Sequence, residues 1–464
     1  MSLILPANSL TGGYEIANSL RFNKASSDYL NRTQSAGNRK TFTFSAWIKL
    51  SELSNIRYLY SSFNAYTDAG YTVLYLTSSN TIKFMGYSTT YLETNQLFRD
   101  VSAWYHVIIA VDTTQATSSD RVKMYINGSQ VTSFLTANYP TQNNDLGFNQ
   151  ASVVSRLGTD SYGDAPDNYF SGYMSEVNFI DGQALDPTSF GEFDEDTGTW
   201  KPIKYTGTYG TNGFYLDFEN SGSLGADQSG NGNNFTVNNL TSIDQTTDTP
   251  TNNFTLLNTL NYSTSTRTYG EGNTAITSSS SDEWHTALNN IGVRSGKWYA
   301  ELKINNVGSF SAIGVIYQPI PSPVNPSASL NFTFLVGEDT GSAGWRNNGA
   351  MPQGGTLSTY TTGDILMIAM DMDNLKLYFG KNGTWENSGV PTSGATGTGS
   401  ILNLTANEDY FFVISPRGGS TYCNFGNPPY SANGYTDGAG YGNFSYAVPS
   451  GYYSLCTKNL AEFG

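Results

Sequence analysis

Charge and sulfur are scarce in this chain of 464 residues: 13% of its positions are Asp, Glu, Lys or Arg, and it has two cysteines and two histidines. Cys423 and Cys456 are too few for a disulfide framework, so two buried thiols are expected, with a single bridge as the alternative. His106 and His285 cannot supply an imidazole-rich metal cluster. Basic residues are the scarcer sign, 23 against 38 acidic ones, and a net charge of -15 repels phosphate backbones and anionic lipid. Nucleic acid is therefore excluded as a general partner. No apolar run is long enough to span a bilayer, so no membrane insertion is expected. The opening Met1-Ser2-Leu3-Ile4-Leu5-Pro6 lacks both a basic region and a continuous apolar stretch, so no secretion signal is expected either. Helical repeats and coiled-coil heptads are missing, which excludes a bundle or a shaft.

What is abundant is Gly (48), Tyr (32) and Phe (25), with dense Ser, Thr and Asn. These residues favour strands and tight turns over helix, and the fold class expected is all-β. The length calls for two or three domains. In Thr41 to Lys49, Phe42, Phe44, Ala46 and Ile48 share one face and Trp47 takes the other, the alternation of a half-buried strand. Short strands of the same kind are predicted at 58–63, 71–76, 81–85, 104–111 and 153–157, and Asn127-Gly128 marks a hairpin within 122–131. Residues 1–40 read as polar and loop-like, anchored by Tyr14, Leu20, Phe22, Tyr29 and Leu30. The stretch from Tyr169 to Ile180 closes this first sandwich, and the aromatic segment from Trp200 to Phe218 is expected to leave it, setting a boundary near residue 200.

Residues 201–290 turn to Asn, Thr, Ser and Gly yet keep Phe214, Leu216, Phe235, Phe254 and Leu257. That is too much apolar surface for a free coil, so an ordered, loop-rich strap is expected. A second sandwich is predicted over 291–464, with Trp298, Ala300, Leu302 and Ile304 on one face and strands at 312–315, 332–336, 365–370, 375–379 and 410–414. Asn382-Gly383 marks its hairpin, and a Gly- and Tyr-rich tail follows Ser431.

Carboxylates carry the question of chemistry. Glycoside hydrolysis needs two carboxyl groups brought close together across the bond, and no closely spaced Glu/Asp run alternates along a strand of the first domain. No catalytic residue and no cofactor is expected. The acidic cluster Glu192 to Asp196 reads as a solvated turn, with a structural calcium ion at a sandwich edge as the alternative and no ligands assigned. Asp371-Met372-Asp373 likewise reads as a solvated hairpin, and His106, inside an apolar strand, as a satisfied core residue. Asp160-Ser161-Tyr162-Gly163-Asp164 has the composition of a shallow sugar site: the Tyr162 ring stacks on a pyranose while Asp160 and Asp164 accept hydroxyl hydrogen bonds. An ordinary glycine turn is the other reading. Trp345, Arg346 and Asn347 form a loop of hot-spot composition, with a core Trp as the alternative.

Several phrases carry family resemblance. Phe44-Ser45-Ala46-Trp47-Ile48, Trp104-Tyr105-His106-Val107, Met124 to Gly128 and Phe170 to Val177 resemble, in that order, the laminin-G or pentraxin type of concanavalin A-like domain over about residues 15–195. The resemblance implies a jelly roll of two antiparallel sheets, a fold shared by carbohydrate-binding proteins and some glucanases. Trp298-Tyr299-Ala300-Glu301, Gly314-Val315, Gly363-Asp364, Asn382-Gly383 and Asn424-Phe425-Gly426 resemble a SPRY domain, which implies partner recognition without chemistry. The pairing of the two, with Phe179 to Leu185 and Tyr209 to Leu216, resembles structural proteins of tailed bacteriophages, particularly marine ones. That resemblance implies a virion surface protein, a tail fibre or capsid decoration, assembled in the host cytoplasm and displayed after lysis. Its partners would be other virion proteins and host surface glycans, and it would form a homo-oligomer, a trimer in the case of a fibre. A purely architectural component and a polysaccharide hydrolase are the alternatives.

Overall fold

Alternating side chains become paired strands from Ser19 onward. The computed structural model describes residues 13–260, 267–280, 283–317, 332–337, 344–347 and 358–464, apart from the side chains of 310, 332–337 and 344–347. It forms an all-β protein of two units, one of Asn8–Thr251 and one that includes Asn252–Gly464.

In the first unit one sheet runs through Ser129–Gln130, Val122–Ile126, Trp104–Asp112, Thr41–Leu50, Gly172–Asp181, Ser19–Phe22 and Gln245–Thr246. Phe214–Leu216 also pairs with Gly172–Asp181. The other sheet runs through Phe134–Ala137, Thr90–Thr94, Ile82–Gly86, Tyr71–Leu76, Arg57–Phe63, Val154–Leu157, Tyr29–Thr33 and Thr236–Asn238. Every pairing is antiparallel, and Phe42, Phe44, Ala46 and Ile48 of one sheet share a core with Leu74, Leu76, Ile82 and Phe84 of the other. Burying such side chains contributes roughly 1.5–3 kcal/mol each, the main stabilising term of the sandwich. Trp47 faces away from that core, as its parity requires, and packs with Ile16 and Trp200.

The Asn127-Gly128 turn forms as predicted, with φ of 48° and 78°. Glycine is required there twice over, since a Cβ would also overlap the Trp200 indole. His106 is the satisfied core residue expected. The Trp200 indole N–H donates to its Nδ1 at 3.0 Å, so Nε2 carries the proton and donates to Ser45 Oγ at 2.8 Å. Burial pushes the imidazole pKa down to about 3.

Two expectations for this unit are corrected. Residues 1–40 are more than loop: Ser19–Phe22 and Tyr29–Thr33 are strands, hidden in sequence because their polar members Ser19, Arg21 and Arg32 are also buried and paired. The boundary near residue 200 falls instead between Thr251 and Asn252. Trp200–Pro202 folds back on Gly191–Phe193, and Phe214–Leu216, Thr236–Asn238 and Gln245–Thr246 all add strands to the first unit's sheets. The acidic stretch 192–196 accordingly belongs partly to a hairpin.

The second unit has a sheet of Arg267–Gly270, Ala275–Ser278, Ser420–Asn424, Lys297–Asn306, Ile365–Asp371, Lys376–Lys381 and Thr384–Trp385, with Leu402–Asn403 also on Lys376–Lys381. Its other sheet is Ala287–Leu288, Tyr410–Arg417, Phe310–Tyr317, Phe332–Gly337 and Gly344–Asn347. Trp298, Ala300, Leu302 and Ile304 meet Ile368, Phe379 and Phe412 in one core. Cys423 and Cys456 are both buried and unbridged. The tail packs Phe444 and Tyr452 onto Tyr299, Met367 and Tyr378, and ends in a helix, Thr457–Phe463. Asp371 corrects the solvated-hairpin expectation: it is fully buried, paired with Lys297 at 3.0 Å and bonded to the Asn374 backbone and amide.

Candidate functional site

Three turns meet at one end of the first unit's second sheet. Arg57–Phe63 runs into residues 64–70, Ile82–Gly86 runs into 87–89, and the long connection from Leu157 to Gly172 carries the Asp160–Asp164 stretch. Each turn contributes a tyrosine. Tyr66 is 56% exposed, Tyr87 38% and Tyr162 46%, so none is held there by core burial.

The three rings nevertheless form one cluster. Tyr162 lies parallel to Tyr87 at 6.2 Å between centroids and edge-on to Tyr66 at 5.4 Å, and Tyr66 meets Tyr87 edge-on at 5.6 Å. Beneath them Phe63 contacts Tyr66 at 5.0 Å and Tyr162 at 5.7 Å, and Tyr71 contacts Tyr162 at 5.8 Å. Each such contact adds roughly 0.5–1.5 kcal/mol beyond simple area burial, which holds the exposed rings in place without covering them. The Tyr87 phenol beside it is the first cause of a raised Tyr162 pKa.

Two carboxylates fix the turns. Asp68 accepts from the Ser88 N–H at 2.7 Å, the Thr89 N–H at 3.2 Å and the Thr89 hydroxyl at 2.6 Å, joining the Tyr66 and Tyr87 turns. Burial alone would raise its carboxyl, but these bonds together hold it below the usual carboxylate value. Gly86 makes this approach feasible, because a Cβ there would stand 2.7 Å from Asp68 Oδ1 and 2.9 Å from the Tyr91 phenol oxygen. Asp160 Oδ1 accepts from the Tyr71 hydroxyl at 2.8 Å and from the Ser161 and Tyr162 N–H groups at 2.6 and 3.0 Å. Burial raises the Asp160 pKa against the pull of these bonds.

The predicted site residues fall into distinct positions. Tyr162 offers its ring to solvent, and Asp164 is exposed and paired with Arg156 at 3.0 Å. Asp160 is buried, and its bonded Oδ1 shapes the turn. Trp345, Arg346 and Asn347 lie on a strand, Gly344–Asn347, with Leu335, Phe334 and Thr333 as register partners, where a loop was expected; their side chains lie outside the described residues. Sequence reasoning missed Tyr66, Tyr87 and the Phe63–Tyr71 floor. A tyrosine inside an Asn/Thr/Asp/Gly turn has no strand face to bury it, and that was the available signal.

A patch of parallel and edge-on rings, with the exposed Asp164 two residues from Tyr162, suits the apolar face of a sugar with hydroxyls directed to the edge. Among the described residues, no group of three or more His, Cys, Asp or Glu is placed to hold a metal ion.

No curated protein matches the chain. Solved structures similar to parts of it include the SPRY domain of human HERC1, 18% identical over 32% of this chain and 87% of that one, with a TM-score of 0.25. A heptameric SAP-like pentraxin from Limulus polyphemus is 17% identical over 37% and 80%, with a TM-score of 0.27. A Bacteroides ovatus protein inferred to bind carbohydrate is 15% identical over 48% and 59%, with a TM-score of 0.34. At such identities and TM-scores none of these likenesses speaks to function. Within the sandwich that carries the tyrosine patch, residues 24–189 match the Laminin_G_3 model, described as the concanavalin A-like lectin/glucanases superfamily.

Proposed function

We propose that the first unit recognises host cell-surface glycans through the Tyr66–Tyr87–Tyr162 patch, as part of a virion surface protein of a tailed bacteriophage, a tail fibre or capsid decoration. The observation that carries this reading is three exposed tyrosines held in one mutual cluster over a floor of the partly buried Phe63 and the buried Tyr71. Solvent-facing rings preordered in this way lose little side-chain freedom when a sugar stacks on them. The lectin-superfamily match over the same sandwich is compatible with it. Single-site binding would be weak, and a homo-oligomer, such as a trimeric fibre, would gain strength by engaging several sugars at once. Other virion proteins would be its remaining partners.

The test is a printed array of bacterial lipopolysaccharides and capsular polysaccharides probed with the full chain and with Tyr66→Ala/Tyr162→Ala. Retention of at least one polymer, reduced about tenfold or more in the double variant, supports the reading. Retention of none would favour an architectural role, and reducing ends released during incubation would favour a hydrolase.

A further inference from the structure

At the other end of the strand Arg57–Phe63, loops of the first unit frame an open cleft of about 650 Å³ lined by Lys24, Glu52, Asn55, Ile56, Asn168 and Tyr169. A seven-residue strand spans about 20 Å, so this cleft is separate from the tyrosine patch.

Its framing loops are strained in the same way. Ser27, Ser54, Asn80 and Asn168 all adopt left-handed backbone angles, with φ of 60°, 62°, 64° and 51°. Each such residue costs roughly 1 kcal/mol, and strain of this kind gathers where a binding surface is held in shape. The brace is Arg57, fully buried beneath the cleft. It donates to the carbonyls of Glu52 and Asn55 and to Asn80 Oδ1, the last two at 3.0 and 2.9 Å, while Asn80 Oδ1 also accepts the Ser54 N–H at 2.8 Å. Two loops are thus locked to one side chain that itself faces no ligand.

The lining has a definite chemistry. Glu52 Oε2 accepts from Lys24 Nζ and from Asn55 Nδ2, so the lysine is neutralised within the wall. Glu52 Oε1 is sealed from solvent, so Glu52 shapes the wall and positions Asn55. Asn55 and Asn168 bring side-chain amides, each able to donate and accept. Tyr169, tilted against Tyr29 at 6.1 Å, and the exposed Ile56 form an apolar flank. A free anion would meet Glu52 and Asp167, and a bare cation would compete with Lys24. A ring that carries hydroxyl donors on its edge and C–H groups on its face satisfies every element.

We infer that this cleft is a second saccharide site, holding one neutral hexose-type residue through the exposed Asn55 and Asn168 amides and the Tyr169 ring. The inference rests on the glycan reading for its ligand class, but its residues are its own.

The experiment titrates the full chain calorimetrically with the methyl glycosides of glucose, galactose, mannose and N-acetylglucosamine. Three variants are compared: Asn55→Ala, Ser78→Trp, which fills the cleft from an exposed turn that lines it, and Tyr66→Ala/Tyr162→Ala in the patch. Thermal melting confirms that each folds. The expected result is millimolar binding of at least one glycoside that both cleft variants weaken about tenfold or more and the patch variant leaves in place. Binding abolished by the patch variant but untouched by both cleft variants would overturn the cleft and leave the patch standing. Binding by no glycoside would overturn the cleft, while the polymer array would still decide the patch.

Discussion

The Lys49 ammonium and the Asp248 carboxylate meet at 2.8 Å with both side chains wholly buried, and the Trp104 indole N–H donates to the other carboxylate oxygen at 3.2 Å. Burial pulls the Lys49 pKa down, and Asp248 pushes back against it. Asp248→Ala would leave a buried ammonium without its partner, so a loss of about 3–5 kcal/mol is expected. Lys49→Met/Asp248→Leu should cost far less, since no charge is left behind. Denaturant midpoints of the two variants check this, and equal losses would show that the pair does not act as a unit.

That pair also shows what the sequence conceals. Strand alternation was readable wherever one face is apolar, as at Phe42, Phe44, Ala46 and Ile48, or at Trp298 to Ile304, because core burial imposes the period directly. The segment 201–251 was not readable as part of the first unit. Its strands are two or three residues long, and although Phe214, Leu216, Phe218 and Phe235 enter the core, much of its attachment is by polar contacts such as Lys49–Asp248, Arg32–Asn212 and Ser19–Thr246. A buried polar pair looks, in sequence, like two surface residues far apart.

One of the three patch tyrosines was legible, and the other two depend on long-range placement. Tyr162 stood out within Asp160–Asp164, but Tyr66 and Tyr87 join it only because Asp68 ties their turns together. That suggests a measurement on the floor of the patch. Tyr71→Phe removes the phenol that donates to Asp160, leaving the two backbone donors. A cost of about 1–3 kcal/mol is expected, with faster hydrogen exchange confined to residues 158–170. Unchanged exchange in that segment would mean Asp160 does not shape the turn.

In the second unit the tail is fastened by a buried carboxylate. Glu301 accepts from the Ser445 and Tyr446 N–H groups at 2.8 Å each, from the Tyr299 hydroxyl at 3.0 Å and from Asn424 Nδ2 at 3.2 Å. Glu301→Ala orphans these donors, and a loss of several kcal/mol, roughly 1–3 per unsatisfied group, is expected. Because the tail covers Tyr299, Met367 and Tyr378, the variant should also bind an apolar dye and be clipped by protease between 431 and 456. Clipping elsewhere first would argue against this fastening.

Glu176 gives the chain a predicted pH dependence. It sits where the pairing of Gly172–Asp181 with Thr41–Leu50 shifts register, at a left-handed φ of 50°, and its carboxyl accepts from Tyr14 at 2.9 Å and Tyr215 at 2.7 Å. Burial raises its pKa from 4.5 to about 7, more than those two phenols lower it. The folded state therefore keeps a proton that the unfolded chain has released, and between about pH 4.5 and 7 it binds more protons than the unfolded state. The contribution is stabilising below that window and is lost as pH rises through it, by about 3 kcal/mol at 1.36 kcal/mol per pKa unit. Glu176→Gln carries no such titration, so the melting temperature of the unaltered chain should fall between pH 5 and 8 relative to that of the variant. Parallel curves for the two proteins would place the proton elsewhere.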